Sequence, residues 1–117
     1  MPRSEPPVES LLPLTPVVLE LLLSLADGER HGYAILLDVE ERTGGRLRLL
    51  PGSLYRALHR LREQGLVEES DARATDERRQ IFRLTPRGRA VAVAEARRLE
   101  DTVATARARR LLPREAR

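Results

Sequence analysis

Two Thr-Pro pairs, Thr15-Pro16 and Thr85-Pro86, set the frame into which this chain can fold, because each stands at the head of an apolar-patterned run. A threonine hydroxyl that accepts from first-turn amides, followed by proline where no amide is needed, is a helix start. One helix is therefore expected from 15 to about 26, and another from 86 to about 111, where Pro113 stops it. Everything else must fit between them.

The first helix carries Val17, Val18, Leu19, Leu21, Leu22, Leu23 and Leu25. Apolar residues nearly all round imply burial on more than one side, by its own core and by a second subunit. The last helix repeats Ala92, Ala96, Leu99, Val103 and Ala106 at alternating four and three spacing, the seam of a helix that packs on another helix. A helix of about 26 residues spans about 39 Å and outreaches so small a domain. Its small seam residues bury little area, so it is expected to lie across the first helix of a partner subunit, with Leu19 and Leu22 completing a homodimer surface. An arm of an intramolecular core is the weaker reading.

Between these helices a second is expected over 32–42, with Tyr33, Leu36 and Leu37 and a stop at Gly44-Gly45. A third follows Pro51-Gly52-Ser53, with Leu54, Leu58 and Leu61 at the i, i+4, i+7 spacing of a helix packed on one face, and Gly65 closes it. Residues 66–70 and 80–84 read as strands of a hairpin around the charged segment 71–79. This order predicts a mainly α fold with a small β-hairpin: a disordered lead-in over 1–13, a winged helix-turn-helix domain over 14–85, a C-terminal dimerisation helix over 86–112 and a flexible tail over 113–117.

The third helix of such a domain enters the major groove, which makes its outer face the test of function. With the leucine stripe inward, the side chains at about 80 to 260 degrees from Leu54 are Ser53, Tyr55, Arg56, His59, Arg60 and Arg62. All of them can donate hydrogen bonds. Arg56 and Arg60 lie one turn apart, suited to guanine edges or to phosphates. Tyr55 and Ser53 suit phosphate oxygens near the helix start. Glu63 is the one acidic residue of the helix, so the arginines lack the i, i+4 partners of an ordinary solvated face. Arg73, Arg78 and Arg79 at the hairpin tip add candidates for flanking phosphates or the minor groove, diluted by Asp71, Asp76 and Glu77. Tyr33 either packs at the second helix or touches phosphate. His31 is read as a packing or capping residue at a helix start, and His59 as a solvated surface residue.

Composition narrows the rest. The chain has no cysteine and two histidines far apart, so no metal site, no cofactor and no thiol nucleophile is expected, and no acid-base constellation for an enzyme stands out. All 21 basic side chains are arginine, but the net charge of +3 is not extreme, and local placement has to carry the argument. No apolar run is long enough for a bilayer, and the first ten residues lack the basic start and apolar centre of a signal peptide, so a cytoplasmic protein is expected.

His31-Gly32-Tyr33-Ala34-Ile35, Pro51-Gly52-Ser53-Leu54-Tyr55-Arg56-Ala57-Leu58, Leu61-Arg62-Glu63-Gln64-Gly65-Leu66-Val67 and Phe82-Arg83-Leu84-Thr85-Pro86-Arg87-Gly88 together resemble the successive signatures of the PadR family. Four such motifs in order span nearly the whole expected fold. The resemblance implies a cytoplasmic bacterial regulator or repressor, dimeric through its first and last helices, that binds a palindromic double-stranded DNA operator with Tyr55 and its neighbours on the DNA. This chain departs from the family pattern in three places. Leu50 stands where many relatives have a serine that caps the recognition helix, leaving the cap to Ser53, backbone or water. Phe82 stands where tyrosine is frequent and takes a core or strand-face role. The lack of tryptophan removes the stacking pocket of multidrug-responsive relatives, so a small-molecule effector is left open without a candidate. The rival to DNA binding is a winged helix used for protein interaction, which should present exposed apolar anchors on the third helix rather than arginines. RNA binding is disfavoured by the lack of paired stacking aromatics.

Overall fold

The computed structural model describes residues 5–70 and 80–114. A 3-10 helix over Val8–Leu11 precedes α1 (Pro16–Ser24), the two-residue strand β1 (Arg30–His31), α2 (Gly32–Arg42), α3 (Pro51–Glu63), β2 (Val67–Glu69), β3 (Ile81–Leu84) and α4 (Pro86–Ala108). The three strands form one antiparallel sheet in the order β1-β3-β2, with Arg30 opposite Phe82 and Glu69 opposite Phe82 on the other side. A winged helix-turn-helix with a long C-terminal helix is thus the fold, with one strand more than the expected hairpin.

Both Thr-Pro starts hold. The Thr15 hydroxyl accepts from the Val18 amide at 3.2 Å and the Thr85 hydroxyl from the Gly88 amide at 2.9 Å. The core between the helices is built from Leu21, Leu25, Ile35, Val39, Leu54, Leu58 and Leu61, closed by Phe82 from the sheet and Val91 from α4. Two motif glycines are required by close approach. A Cβ on Gly32 would stand 2.6 Å from the Tyr55 ring, and one on Gly88 would stand 1.9 Å from the Leu66 carbonyl oxygen, which is how the first turn of α4 reaches the junction between α3 and β2.

Arg42 ties α1 to α2. Its Nε donates to Asp38 at 2.8 Å, one terminal nitrogen donates to Glu20 at 2.6 Å, and the other donates to the Glu20 carbonyl and the Ser24 hydroxyl. Burial alone would raise the Asp38 carboxyl, but hydrogen bonds from Arg42 and Ser24 and the charges of Arg42 and Arg30 outweigh it and hold Asp38 below the ordinary aspartate value.

The segment expected as a disordered lead-in is tied down from Val8 onward, which corrects that expectation. Pro7 precedes the 3-10 helix, and Val8, Leu11 and Leu12 pack against the core. The amide of Leu14 donates to Oε2 of Glu95 on α4 at 2.8 Å. Glu95 is 1% exposed and also accepts from Nε of Arg98 at 2.5 Å. The Arg98 hydrogen bond, opposed by burial and helped by the Leu14 amide, holds the Glu95 carboxyl below the ordinary glutamate value. A depressed carboxyl contributes stability that is complete above the unfolded-state pKa and lost as pH falls through the folded-state pKa. Glu95→Ala should therefore cost about 1–3 kcal/mol at neutral pH, chiefly by leaving the Leu14 amide without its acceptor. Thermal melts at neutral and acidic pH check this: the gap between wild type and variant should narrow on acidification below the ordinary carboxylate range, and a gap that widens would contradict it.

Candidate nucleic-acid interface

The local sequence fixes how α3 begins. Leu50 precedes a proline and is pushed to extended backbone, φ −79° and ψ 147°, as the N-cap of a helix whose first residue is Pro51. No side chain caps this end. Ser53 does not take that role, since its hydroxyl instead accepts from a terminal nitrogen of Arg56 at 3.3 Å. The first intrahelical bond runs from the Leu54 amide to the Leu50 carbonyl at 2.9 Å, so the Gly52 and Ser53 amides stand ahead of it, pointing out of the helix end.

The structure sorts the expected DNA-facing residues. Arg56, Arg60 and Arg62 are exposed, while Ser53 and His59 are half-buried. Arg56 and Arg60 pair with no carboxylate among the described residues, and the Arg56 guanidinium folds back over the first turn, above Gly52. Tyr55 is a correction: it is 6% exposed and belongs to the core, its ring against Gly32 and 6.5 Å from the Phe82 ring, so its side chain does not share the outer face. Arg62 is also modified, because it forms an ion pair with Glu69 of β2, which in turn accepts from Gln80 at 3.4 Å. The acidic partner lies across the fold, beyond the reach of helical spacing. Tyr33 projects from the first turn of α2 and is exposed. His31 is the N-cap of α2 and half of β1, and its side chain makes no capping bond there. Arg73, Arg78 and Arg79 lie outside the described residues.

Sequence reasoning passed over one feature of this face. Leu50, noted earlier as a replaced cap, is 71% exposed at the leading end of α3. Its signal in the sequence is a large apolar residue directly before the Pro-Gly-Ser helix start.

The expected dimer residues divide as well. Leu22 is 0% exposed within one chain and cannot meet a partner, which corrects that assignment; its neighbour Leu23 is 42% exposed. Leu19, Ala92, Leu99 and Ala106 are half-buried, and Ala96 and Val103 are exposed. Beyond Glu95 no residue of α4 is buried. The radius of gyration, 16.0 Å, exceeds the roughly 13 Å of a compact chain of this size, as a projecting helix requires.

Among the described residues there is no cluster of His, Asp or Glu that could hold a metal ion, and no helix is long and apolar enough to cross a membrane. A cleft of about 150 Å³ between the N-terminal segment, α1 and the end of α3 is lined by Leu11, Leu14, Val18 and Leu66. Ligand sites typically enclose roughly 300–1,000 Å³, so this is a packing crevice.

The chain is 43% identical over 86 residues to the transcriptional regulator Rv3488 of Mycobacterium tuberculosis, covering 73% of this chain and 77% of that protein. It is 45% identical over 76 residues to an uncharacterised 37.1 kDa protein in a Streptomyces fradiae transposon, covering 65% of this chain but only 21% of that protein. The fold is similar to that of Bacillus subtilis PadR solved in complex with operator DNA, with a TM-score of 0.59 at 22% identity over 70% of this chain and 47% of that one. Residues 21–94, from the core of α1 through the first third of α4, match the model of the PadR-like family of transcriptional regulators, and the chain is a member of that family.

Proposed function

We propose that this protein is a homodimeric repressor that acts in the cytoplasm by binding a palindromic operator, each protomer placing α3 in the major groove. The observation that carries the reading is the outer face of α3. Arg56 and Arg60 stand exposed one turn apart, without carboxylate partners among the described residues, on a helix anchored from behind by Leu54, Tyr55, Leu58 and Leu61. A guanidinium held this way presents a planar fork to guanine O6 and N7 or to phosphate. The open amides of Gly52 and Ser53 add a phosphate site at the helix start. The hairpin lies beside α3, and the arginines 73, 78 and 79 of its connecting segment are proposed to reach flanking phosphates. Operator binding by the similar Bacillus subtilis protein supports the same use of the fold here.

The dimer is proposed to form through Leu19 and Leu23 of α1 and through Ala92, Ala96, Leu99, Val103 and Ala106 of α4. The C-terminal half of α4 has no buried residue within the chain, and its apolar side chains are covered if a partner lies along them. Two-fold symmetry would then place the two α3 helices about one turn of DNA apart, roughly 34–36 Å.

Selection of random duplex DNA by the purified protein, followed by binding to the winner across a salt series, tests the reading. A two-fold symmetric site is expected, with log K falling against log salt by about 0.9 for each phosphate neutralised. Failure to enrich any site, with weak binding at low salt, would remove the operator and turn attention to a protein partner for the same face.

A further inference from the structure

Leu50 is the exposed apolar residue at the leading end of α3, and nothing within the described chain accounts for it. It is 71% exposed, it caps no amide, and it sits at the entrance of the helix whose first turn holds the Arg56 guanidinium over Gly52 and Ser53. Of the other exposed apolar side chains, Leu23 on α1 and Val103 on α4 belong to the surface proposed for a second protomer, and Tyr33 and Leu37 lie on α2. Leu50 is on a different element, beside arginines and open amides, a setting that favours an anionic polymer over an apolar protein surface.

We propose that Leu50 is a specificity-determining residue that reads thymine by packing against its C5-methyl group in the major groove. The inference rests on the operator-binding reading above and adds a base to it. The chemistry is particular: in the major groove each base pair presents hydrogen-bonding atoms, and thymine alone adds a methyl group. A leucine has no donor or acceptor to offer, so its discrimination is limited to that methyl and to the exclusion of water around it. Arg56, anchored on the same first turn, supplies the complementary hydrogen-bonding readout, so that one helix end distinguishes a thymine and a neighbouring guanine by unlike means.

The test uses the full chain and the duplex it selects. Each thymine of one half-site is replaced in turn by deoxyuridine, which keeps every hydrogen-bonding atom and removes only the methyl. For wild type, one thymine per half-site is expected to be sensitive, with binding weakened about fourfold per half-site, the effect of one buried carbon group. With Leu50→Ala, the thymine and uracil duplexes should bind alike, while the other positions keep their wild-type preferences. Because Leu50 is outside the core, the variant's circular dichroism and melting temperature should match wild type. A site that is selected but indifferent to every uracil, or a uracil effect that persists in Leu50→Ala, overturns the thymine assignment and leaves operator binding standing. Failure to select any duplex overturns both.

Discussion

Gly88→Ala is expected to lower the melting temperature by on the order of 10–15 °C, corresponding to about 3 kcal/mol or more of lost stability. The direction is informative because helix propensity alone argues the opposite, alanine being better than glycine in a helix by about 1 kcal/mol. Gly88 is in the first turn of α4, and a Cβ there would stand 1.9 Å from the Leu66 carbonyl oxygen. That oxygen belongs to backbone and already accepts from the Thr85 amide at 3.1 Å, so it cannot swing aside as a side chain would. Relief requires α4 to lift from the α3–β2 junction, which would also strain the hydrogen bond from the Thr85 hydroxyl to the Gly65 carbonyl. Gly52→Ala is the matched comparison, also a helical glycine, whose added Cβ would meet only the end of the Arg56 side chain at 3.4 Å. It should leave stability unchanged or raise it by up to about 1 kcal/mol, as helix propensity alone would have it. Thermal melts of the two variants decide the matter, and equal melting temperatures would show that α4 does not depend on this close approach.

The second large effect concerns DNA. Arg56→Ala and Arg60→Ala are each expected to weaken operator binding by about 1–3 kcal/mol per half-site if they read base edges, with loss of preference at the positions they contact. If they hold phosphates instead, binding to all sequences should fall together and the salt slope should drop by about one for each arginine. Competition binding with specific and scrambled duplexes separates these two outcomes. Arg62→Ala provides the contrast within the same helix, since Arg62 is engaged by Glu69 and should contribute less to DNA affinity. Double-variant affinity within twofold of wild type would contradict the assignment of this face to DNA.

The elements whose signals are local were legible in the sequence. Thr15, Thr85, Pro16, Pro51 and Pro86 mark the beginnings of α1, α3 and α4, and the leucine stripe of α3 gives its buried face. What escaped was set by partners distant in the chain. β1 is two polar residues with no strand pattern of their own, and it exists because β3 is there to pair with it. Tyr55 is about 100° from Leu54 around the helix, at the margin of the outer face, and only the arrival of Gly32 and Phe82 on that side turns it inward. The Glu69 partner of Arg62 likewise comes from a strand. In α1 the reason differs: a helix apolar nearly all round carries no periodic mark of which leucine faces outward, so Leu22 and Leu23 were indistinguishable.

The position of Phe82 has a consequence for how a duplex would be accommodated. Its strand lies between β1 and β2, and its ring is buried against Tyr55 of α3, so the base of the hairpin and the helix proposed to enter the groove are anchored in one core. Their separation is then a fixed gauge. On the operator-binding reading, DNA whose groove spacing differs from that gauge has to bend or twist to meet it, and the elastic work depends on the stacking of the base steps in between. Selectivity would thereby extend to base pairs that no side chain touches, written in the stiffness of the double helix.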